Sequence, residues 1–247
     1  MAISLGGADF SAIYKGSSPV KEVWQGSNQV WPSGGMYSHV AYFQGAADGS
    51  NPKNITVTLG EEHPDRWIIV CLSQDIASGS SSVSALTVGG VSFAKGYEAT
   101  NGSRHSVCIW YGKVPTGTTA TMTITGGSYN ISLPLGTIGQ VKAKTLTEYN
   151  KNGQVNGAGV VVAQPNMLTI AHYATGSGGS AGVNCSYTSS PRTPIENAYL
   201  GNGSAQGTWV GAVQPNATGA GGTQSINANP SFSSPRAALS MLTLSWT

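Results

Sequence analysis

Apolar and polar residues alternate along most of the chain with the period of two that is typical of a β-strand. Ile55, Val57 and Leu59 alternate with threonines, and the same pattern runs through 119–125 and 242–246. Because successive side chains of a strand point to opposite faces, each segment places one face on a core and the other in solvent. The run 67–72 (WIIVCL) is apolar at every position, which predicts a strand buried on both faces. The pattern therefore predicts a nearly all-β chain.

Glycine pairs mark turns between these segments. Gly89-Gly90 and Gly126-Gly127 each separate two alternating runs, as the tight turn of a β-hairpin does. Ten to twelve short strands, roughly, predict a β-sandwich of the jelly-roll kind, because two sheets can bury their alternate faces against each other. The stretch 140–150 is a candidate helix because it contains Lys, Glu and Leu, although it has no apolar stripe at the helical period.

Two changes of composition divide the chain. Pro32 to Gly35 separates an N-terminal segment, residues 1–35, from the first long strand pattern at 39–43. From Gly176 to Pro230 the chain is rich in Gly, Ser and Asn, which predicts long loops between strands. We therefore expect an N-terminal segment followed by one sandwich domain, 36–247, with long glycine-rich loops at 176–230.

The composition favours a protein with a hydrophobic core and few charges. Of the 247 residues, 39% are hydrophobic and 9% are charged, and the net charge is +2. This composition excludes coiled coils, collagens and helical bundles, and it provides no charge excess that would attract nucleic acid. No run of about 18 apolar residues is present, and the first residues lack the basic start of a secretory signal. We expect no nucleic-acid partner and no membrane insertion.

Residues 13–31 repeat at a spacing of ten. The unit at 13–17 (IYKGS) followed by Val20 aligns with the unit at 23–27 (VWQGS) followed by Val30. A β-branched and aromatic pair before Gly-Ser predicts two short strands joined by a tight turn. About 30 residues with so few apolar side chains cannot form a core of their own. This ribbon either packs on its own main domain or docks on a neighbouring protein, for example by adding strands to a sheet edge.

The pattern I-Y-x-G-S-x-x-V-x-x-V-W-x-G-S-x-x-V-W-P at 13–32 resembles the N-terminal signature of many structural proteins of tailed bacteriophages, which are described as tail, fibre or minor virion proteins. The segments RWIIVCLS, SALTVGGVSF, CIWYGKVPTGTTATMTIT and LTLSW resemble a β-sandwich module that is common in such proteins. The resemblance implies a component of the virion that is bound to other virion proteins through its N-terminal segment. The attachment residues that it implies are Ile13, Tyr14, Gly16, Ser17, Val20, Trp24, Gly26, Ser27, Val30 and Trp31.

The chain offers few residues for catalysis or metal binding. It has no G-x-S-x-G, H-E-x-x-H or P-loop motif, and an S-x-x-K tetrapeptide such as Ser92–Lys95 is expected by chance in a serine-rich chain. His105 and Cys108 lie three residues apart on a predicted strand and cannot share one metal without a bulge. We expect no enzyme, no cofactor and no metal. The enzymatic alternative is glycan hydrolysis by carboxylates such as Asp75 or Glu98.

Several residues in apolar runs are predicted to be buried. Cys71 and Cys108 are interpreted as small buried hydrophobes of a reduced protein. Trp67, Trp110 and Trp246 lie in apolar strand patterns and are predicted core residues.

Four further aromatic residues lie in or beside the Gly/Ser/Asn-rich segments: Tyr173, Tyr187, Tyr199 and Trp209. Exposed rings flanked by amides can hold a neutral sugar, so a glycan-binding adhesin with a host surface glycan as its partner is the alternative function. The same rings can instead anchor the packing of the loops.

The low charge also fits a surface buried against neighbouring copies, because ions lose solvation in an interface while Thr, Ser and Asn can pair. We therefore expect a homo-oligomer. Together with the resemblance, these features predict a non-enzymatic tail, fibre or surface-decoration protein of a virion.

Overall fold

The fold is described from a computed structural model of the chain. It describes residues 14–15, 18–19, 23–25, 28–31, 37–46, 49–75, 83–101, 105–126, 132–155, 159–163, 167–175, 185–188, 196–201, 207–213, 224–230 and 237–246. Within these ranges every regular element is a β-strand and every paired strand is antiparallel. The predicted all-β fold is confirmed.

The chain divides into two compact units, Met1–Gly34 and Gly35–Thr247. The first contains four short strands, β1 (Tyr14–Lys15), β2 (Ser18–Pro19), β3 (Val23–Gln25) and β4 (Asn28–Trp31). The second, which we call the body, consists of two halves that follow each other in sequence.

The first half of the body forms two sheets. Its strands are β5 (Ser38–Gln44), β6 (Lys53–Thr58), β7 (Arg66–Asp75), β8 (Val83–Val88), β9 (Val91–Ser92), β10 (Ala94–Asn101), β11 (His105–Lys113), β12 (Thr119–Gly126) and β13 (Ser132–Lys142). The first inner sheet has the order β10-β11-β7-β13-β5, and the first outer sheet has the order β6-β12-β8-β9.

The second half of the body also forms two sheets. Its strands are β14 (Leu146–Val155), β15 (Gly159–Ala163), β16 (Met167–Thr175), β17 (Cys185–Thr188), β18 (Glu196–Gly201), β19 (Gly207–Val213), β20 (Gln224–Pro230) and β21 (Ala237–Trp246). The second inner sheet has the order β14-β21-β16-β19-β18, and the second outer sheet has the order β15-β20-β17.

The two inner sheets pack face to face between the two outer sheets. On β7, Ile68 and Val70 belong to a core shared with the first outer sheet. The alternate residues Ile69 and Cys71 belong to a second core, which contains Leu168 of the second inner sheet. The run 67–72 is therefore buried on both faces, as predicted, because its sheet is an interior layer. The predicted sandwich is confirmed, and the body contains two of them.

The two halves repeat the same strand order. The strands of the first half, with β9 left out, correspond in turn to those of the second half, so that β5, β6, β7, β8, β10, β11, β12 and β13 match β14 to β21. With this match the two inner sheets have the same strand order, and so do the two outer sheets. β10 contacts β14, and β5 contacts β18, which is the same pair of strands with the halves exchanged. The two inner sheets are therefore related by an approximate two-fold axis that runs parallel to the strands. The jelly-roll connectivity stays a prediction, which this order supports.

Of three local predictions, one about a turn is confirmed and two others are wrong. Gly89-Gly90 forms the predicted two-residue hairpin between β8 and β9, with φ values of 58° and 81° that favour glycine. Gly126-Gly127 is not such a hairpin, because β12 pairs with β6 and β8 while β13 pairs with β5 and β7. The candidate helix at 140–150 is wrong, since these residues end β13 and begin β14. Pairing with long neighbouring strands outweighs their local helix propensity.

The segment predicted to be loop-rich contains four strands. β17, β18, β19 and β20 all lie within 176–230, where long loops between strands were expected. β20 pairs with β15 and β17, which are distant in sequence, and β18 pairs with β19. Pairing within the sheets therefore gives extended structure to a sequence with low intrinsic β propensity.

Candidate functional site

Each unit of the N-terminal repeat forms a pair of short antiparallel strands. In the first pair Tyr14 is opposite Pro19, and in the second Trp24 is opposite Gln29. The two registers are identical after a shift of ten residues. The predicted short strands are confirmed, and in the sequence Gly-Ser lies between the two strands of each pair.

The implied attachment residues divide between the strands and the segments around them. Tyr14, Trp24, Val30 and Trp31 lie on β1, β3 and β4. Ile13, Gly16, Ser17, Val20, Gly26 and Ser27 lie outside the described residues.

The strands of the body define two ends. We call the end where β7, β14 and β16 begin the base, and the opposite end the tip. Val141, Leu146 and Leu168 share one core at the base, and Ala99 and Ala174 share another nearer the tip. Tyr37, immediately before β5, is buried in the core at the base, so the chain enters the body at this end.

A buried arginine organises the base. The Arg66 side chain is fully buried, and its Nε donates to the carbonyl of Val114 at 2.7 Å. Nη1 donates to the carbonyl of Glu61 at 2.8 Å, and Nη2 donates to the carbonyls of Thr116 and Gly117 at 2.9 and 2.7 Å. Burial lowers the pKa of the guanidinium, and Glu62 opposes that shift. Arg66 therefore ties two loops of the base to the start of β7.

Sequence reasoning did not single out Arg66. The feature of the sequence that could have identified Arg66 is its position directly before a run that is apolar on both faces. A charge at that position must find hydrogen-bond partners as the strand is buried.

Several charged residues lie in the described segments of the base. They are Glu61, Glu62, Asp65, Lys113 and Lys144.

The four aromatic residues predicted in or beside loops all lie on strands. Tyr173 of β16 is opposite Trp209 of β19, which is opposite Tyr199 of β18, so these three occupy one row across the second inner sheet. Tyr187 lies on β17, opposite Ala228. The Tyr173 side chain is only 1% exposed, which corresponds to a packing anchor and not to a ring open to a ligand.

The predicted core tryptophans and cysteines lie as expected or close to it. Trp110 is buried, whereas Trp67 and Trp246 are half-buried against the core at the base. Cys71 and Cys108 are both buried and carry free thiols.

Burial also changes the acidity of the two thiols. It raises the pKa of Cys71 to about 12, and a hydrogen bond with Thr137 partly opposes the rise. The pKa of Cys108 is likewise raised by burial, with the charge of Glu98 adding to the shift. Neither thiol is available as a thiolate near neutral pH.

Two residues considered for catalysis hold the fold together. The Nζ atom of Lys95 lies 2.7 Å from Oε2 of Glu98 and donates to the carbonyl of Val83 at 2.6 Å. Oε1 of Glu98 accepts a hydrogen bond from the Val83 amide at 3.2 Å. The pair fastens β8 to β10, and Lys95 also lies 5.3 Å from the centre of the Trp110 ring. The second carboxylate considered, Asp75, ends β7 opposite His105.

Among the residues that the structure describes, no three His, Cys, Asp or Glu side chains lie together in a way that could hold a metal ion. Within the same residues, no helix is long and apolar enough to cross a membrane. Comparison with family models, with curated proteins and with solved structures finds no match to this chain.

Proposed function

We propose that this chain is a non-enzymatic structural component of a bacteriophage virion, a tail, fibre or surface-decoration protein. Residues 1–35 bind other virion proteins, and the body projects from that attachment. The proposal rests on the resemblance of the N-terminal repeat and on the strand pairs that the repeat forms.

The observation that carries the proposal is the doubled strand pair. The registers Tyr14–Pro19 and Trp24–Gln29 are the same after a shift of ten residues, so the repeated sequence produces a repeated backbone. A two-stranded hairpin is marginally stable in water unless further strands or a packing surface support it. A partner protein that accepts both pairs, for example at a sheet edge, would supply that support.

Deletion of residues 1–33 tests the attachment. The body contains all the described hydrophobic clusters, so the shortened chain should fold and stay soluble. It should be absent from purified particles, measured by mass spectrometry against the major capsid protein. Normal incorporation of the shortened chain would contradict the proposal.

Point variants refine this test. Replacing both Trp24 and Trp31 by alanine should lower incorporation, because large aromatic side chains contribute most to protein interfaces. Lys21→Ala is the matched control, since Lys21 lies in the same segment at a variable position of the repeat. Equal incorporation of the control and the double variant would count against the repeat as the attachment element.

The alternative function, glycan binding, has less support. Of the four aromatic residues considered for it, Tyr173 is buried, and all four lie on strands. Saturable binding on a glycan array that is lost in Trp209→Ala or Tyr199→Ala would favour this alternative over the structural role.

A further inference from the structure

β15 lies at the edge of the second outer sheet. In the part of the chain that the structure describes, it pairs with β20 over Gly159–Ala163 and with no other strand. Backbone groups alternate along a strand, so those of Val160 and Val162 point to one side and those of Val161 point to the other. The side of β15 that faces away from β20 is the one along which a further strand could pair. We call it the free edge of β15.

The sequence of β15 favours pairing with a further strand. It is GVVVA, which has three consecutive valines and neither a charged residue nor a proline. Valine is enriched in strands, and short uncharged segments with high β propensity form sheets between molecules when their backbone is open. The Val160 side chain is 46% exposed and adds apolar surface to this strand. β15 therefore needs protection that its own residues do not provide.

Two asparagines of β14 occupy the free edge. Nδ2 of Asn152 donates a hydrogen bond to the carbonyl of Val160 at 2.7 Å. The Val162 amide donates to Oδ1 of Asn150 at 3.5 Å, which is a longer and weaker bond. Val160 and Val162 lie two positions apart, so both bonds fall on the same side of the strand. One carbonyl and one amide that an added strand would need are therefore already paired with side chains.

The register of β14 directs both asparagines towards the second outer sheet. Asn150 is opposite Thr243 and Asn152 is opposite Met241. Leu242, which lies between these two partners on β21, belongs instead to the core between the halves. A β-bulge immediately before Asn150 sets this register. Because a side-chain amide carries both a donor and an acceptor, the same residue type can pair with a carbonyl at one position and with an amide at the other.

We propose that Asn150 and Asn152 keep the free edge of β15 closed to a strand from another copy of this chain. Sheets commonly protect their edges with charged residues, prolines or bulges, and here the side-chain amides of the neighbouring strand take that role. Without them, β15 of one copy could pair with β15 of a second copy about a two-fold axis and extend the sheet. The proposal does not depend on the proposed attachment to a virion, because it involves only the body.

The double variant Asn150→Ala/Asn152→Ala tests the proposal, because it frees both backbone groups of β15. Sedimentation of the full-length chain over a range of concentrations should show self-association at least about tenfold tighter than in the wild type. Asn152→Ala alone should account for most of the effect, since its hydrogen bond is the shorter one. This single variant removes one exposed hydrogen bond, so it provides the same test if the double variant does not fold.

Asn54→Ala is the matched control for the change of asparagine to alanine. Asn54 is exposed on β6, which is an edge strand of the first outer sheet. Its Oδ1 accepts a hydrogen bond from the side chain of Thr123, so the variant frees a hydroxyl on the sheet face. Self-association of this variant should equal that of the wild type.

A charge on the free edge gives a second test, which gives the position of the association. Val160→Lys added to the double variant should return self-association to the wild-type level, because a lysine on an edge opposes the pairing of a further strand. If the double variant associates no more than the wild type, the asparagines only fasten β15 to β14, and the proposal is overturned. Association that persists after Val160→Lys would arise elsewhere in the chain and would overturn it as well.

Discussion

The two halves of the body share a strand order but fill their sandwiches with different residues. In the first half the inward positions of β7 are Ile68, Val70 and Leu72, all large aliphatic residues. In the second half the face of β16 that is turned away from the first half carries Thr169, Ala171 and Tyr173, which are equally buried. The same strand order therefore accommodates both a purely aliphatic row and a row that combines a polar, a small and an aromatic residue.

The difference between the halves shows which features specify the fold. Alternation of polarity and the positions of the strand ends are common to both halves, whereas the size and chemistry of the buried residues are not. This agrees with the general finding that the polar–apolar pattern selects a fold, while the particular residues adjust its stability. The following experiments probe the two halves separately.

The largest effect is expected at the base of the first half. Arg66→Met removes a guanidinium that donates to the backbone carbonyls of Glu61, Val114 and Gly117, and it leaves the buried Val114 carbonyl without that donor. We expect a loss of about 3–5 kcal/mol in the free energy of unfolding, measured with urea. Lys113→Met, which breaks a half-exposed ion pair with Asp65, should cost about 1 kcal/mol or less. Equal losses for the two variants would contradict the role of Arg66.

The next effect concerns the core between the halves. Leu242→Ala removes a fully buried side chain from the core that contains Ile69 and Leu168, and it should cost about 2–5 kcal/mol. Because both halves contribute to this core, we expect one unfolding transition in both the wild type and the variant. Val160→Ala, at a position 46% exposed, is the control and should change stability by less than about 0.5 kcal/mol. Two separate transitions in calorimetry would show that the halves fold independently.

A smaller effect is expected at a buried pair of threonines in the interior of the second half. The hydroxyls of Thr169 and Thr243 are buried and 2.9 Å apart. Thr243→Val leaves the partner hydroxyl unsatisfied and should cost about 1–2 kcal/mol. Replacing both threonines by valine makes this site resemble the first half and should recover most of that loss. Additive losses in the double-mutant cycle would show that the two hydroxyls do not depend on each other.

The smallest effect concerns the buried thiols of the first half. Since burial raises the folded-state pKa of Cys71 to about 12, above the ordinary thiol value of 9.0, its stabilising contribution is complete at lower pH and is lost as the pH rises from about 9 towards 12. At pH 9 half of the unfolded thiol is ionised, which costs about 0.4 kcal/mol. Unfolding measured at pH 7 and pH 9 should show a loss in the wild type that is about 0.4 kcal/mol larger than in Cys71→Ala, which keeps the contribution of Cys108. A thiol reagent that labels Cys71 in the folded protein at pH 8 would contradict its burial.

Local patterns were sufficient to predict much of the fold. The alternating runs became strands, the run 67–72 is buried on both faces, and Gly89-Gly90 forms its hairpin, because each of these outcomes is decided by nearby residues. Strands in the glycine-rich second half were less visible, since there the extended structure depends on pairing with distant strands. The repeated strand order was not predicted either, because the two halves share positions of strand ends more than residues.

The features of the candidate site also differ in how far the sequence alone predicts them. The N-terminal strand pairs were predictable from a ten-residue repeat, since a hairpin is a local structure. The row formed by Tyr173, Trp209 and Tyr199 brings together residues from three strands, and only the sheet order determines it. The partner that we propose for the N-terminal strand pairs cannot be identified from the sequence, because binding would depend on a surface that this chain does not contain.

The two-fold relation between the halves affects how their pairing responds to dilution. A pair of identical subunits joined by such an interface would separate when diluted. Here three residues, 143–145, connect the last strand of one half to the first strand of the other. Because the partner is always tethered nearby, this pairing is independent of how many molecules surround it.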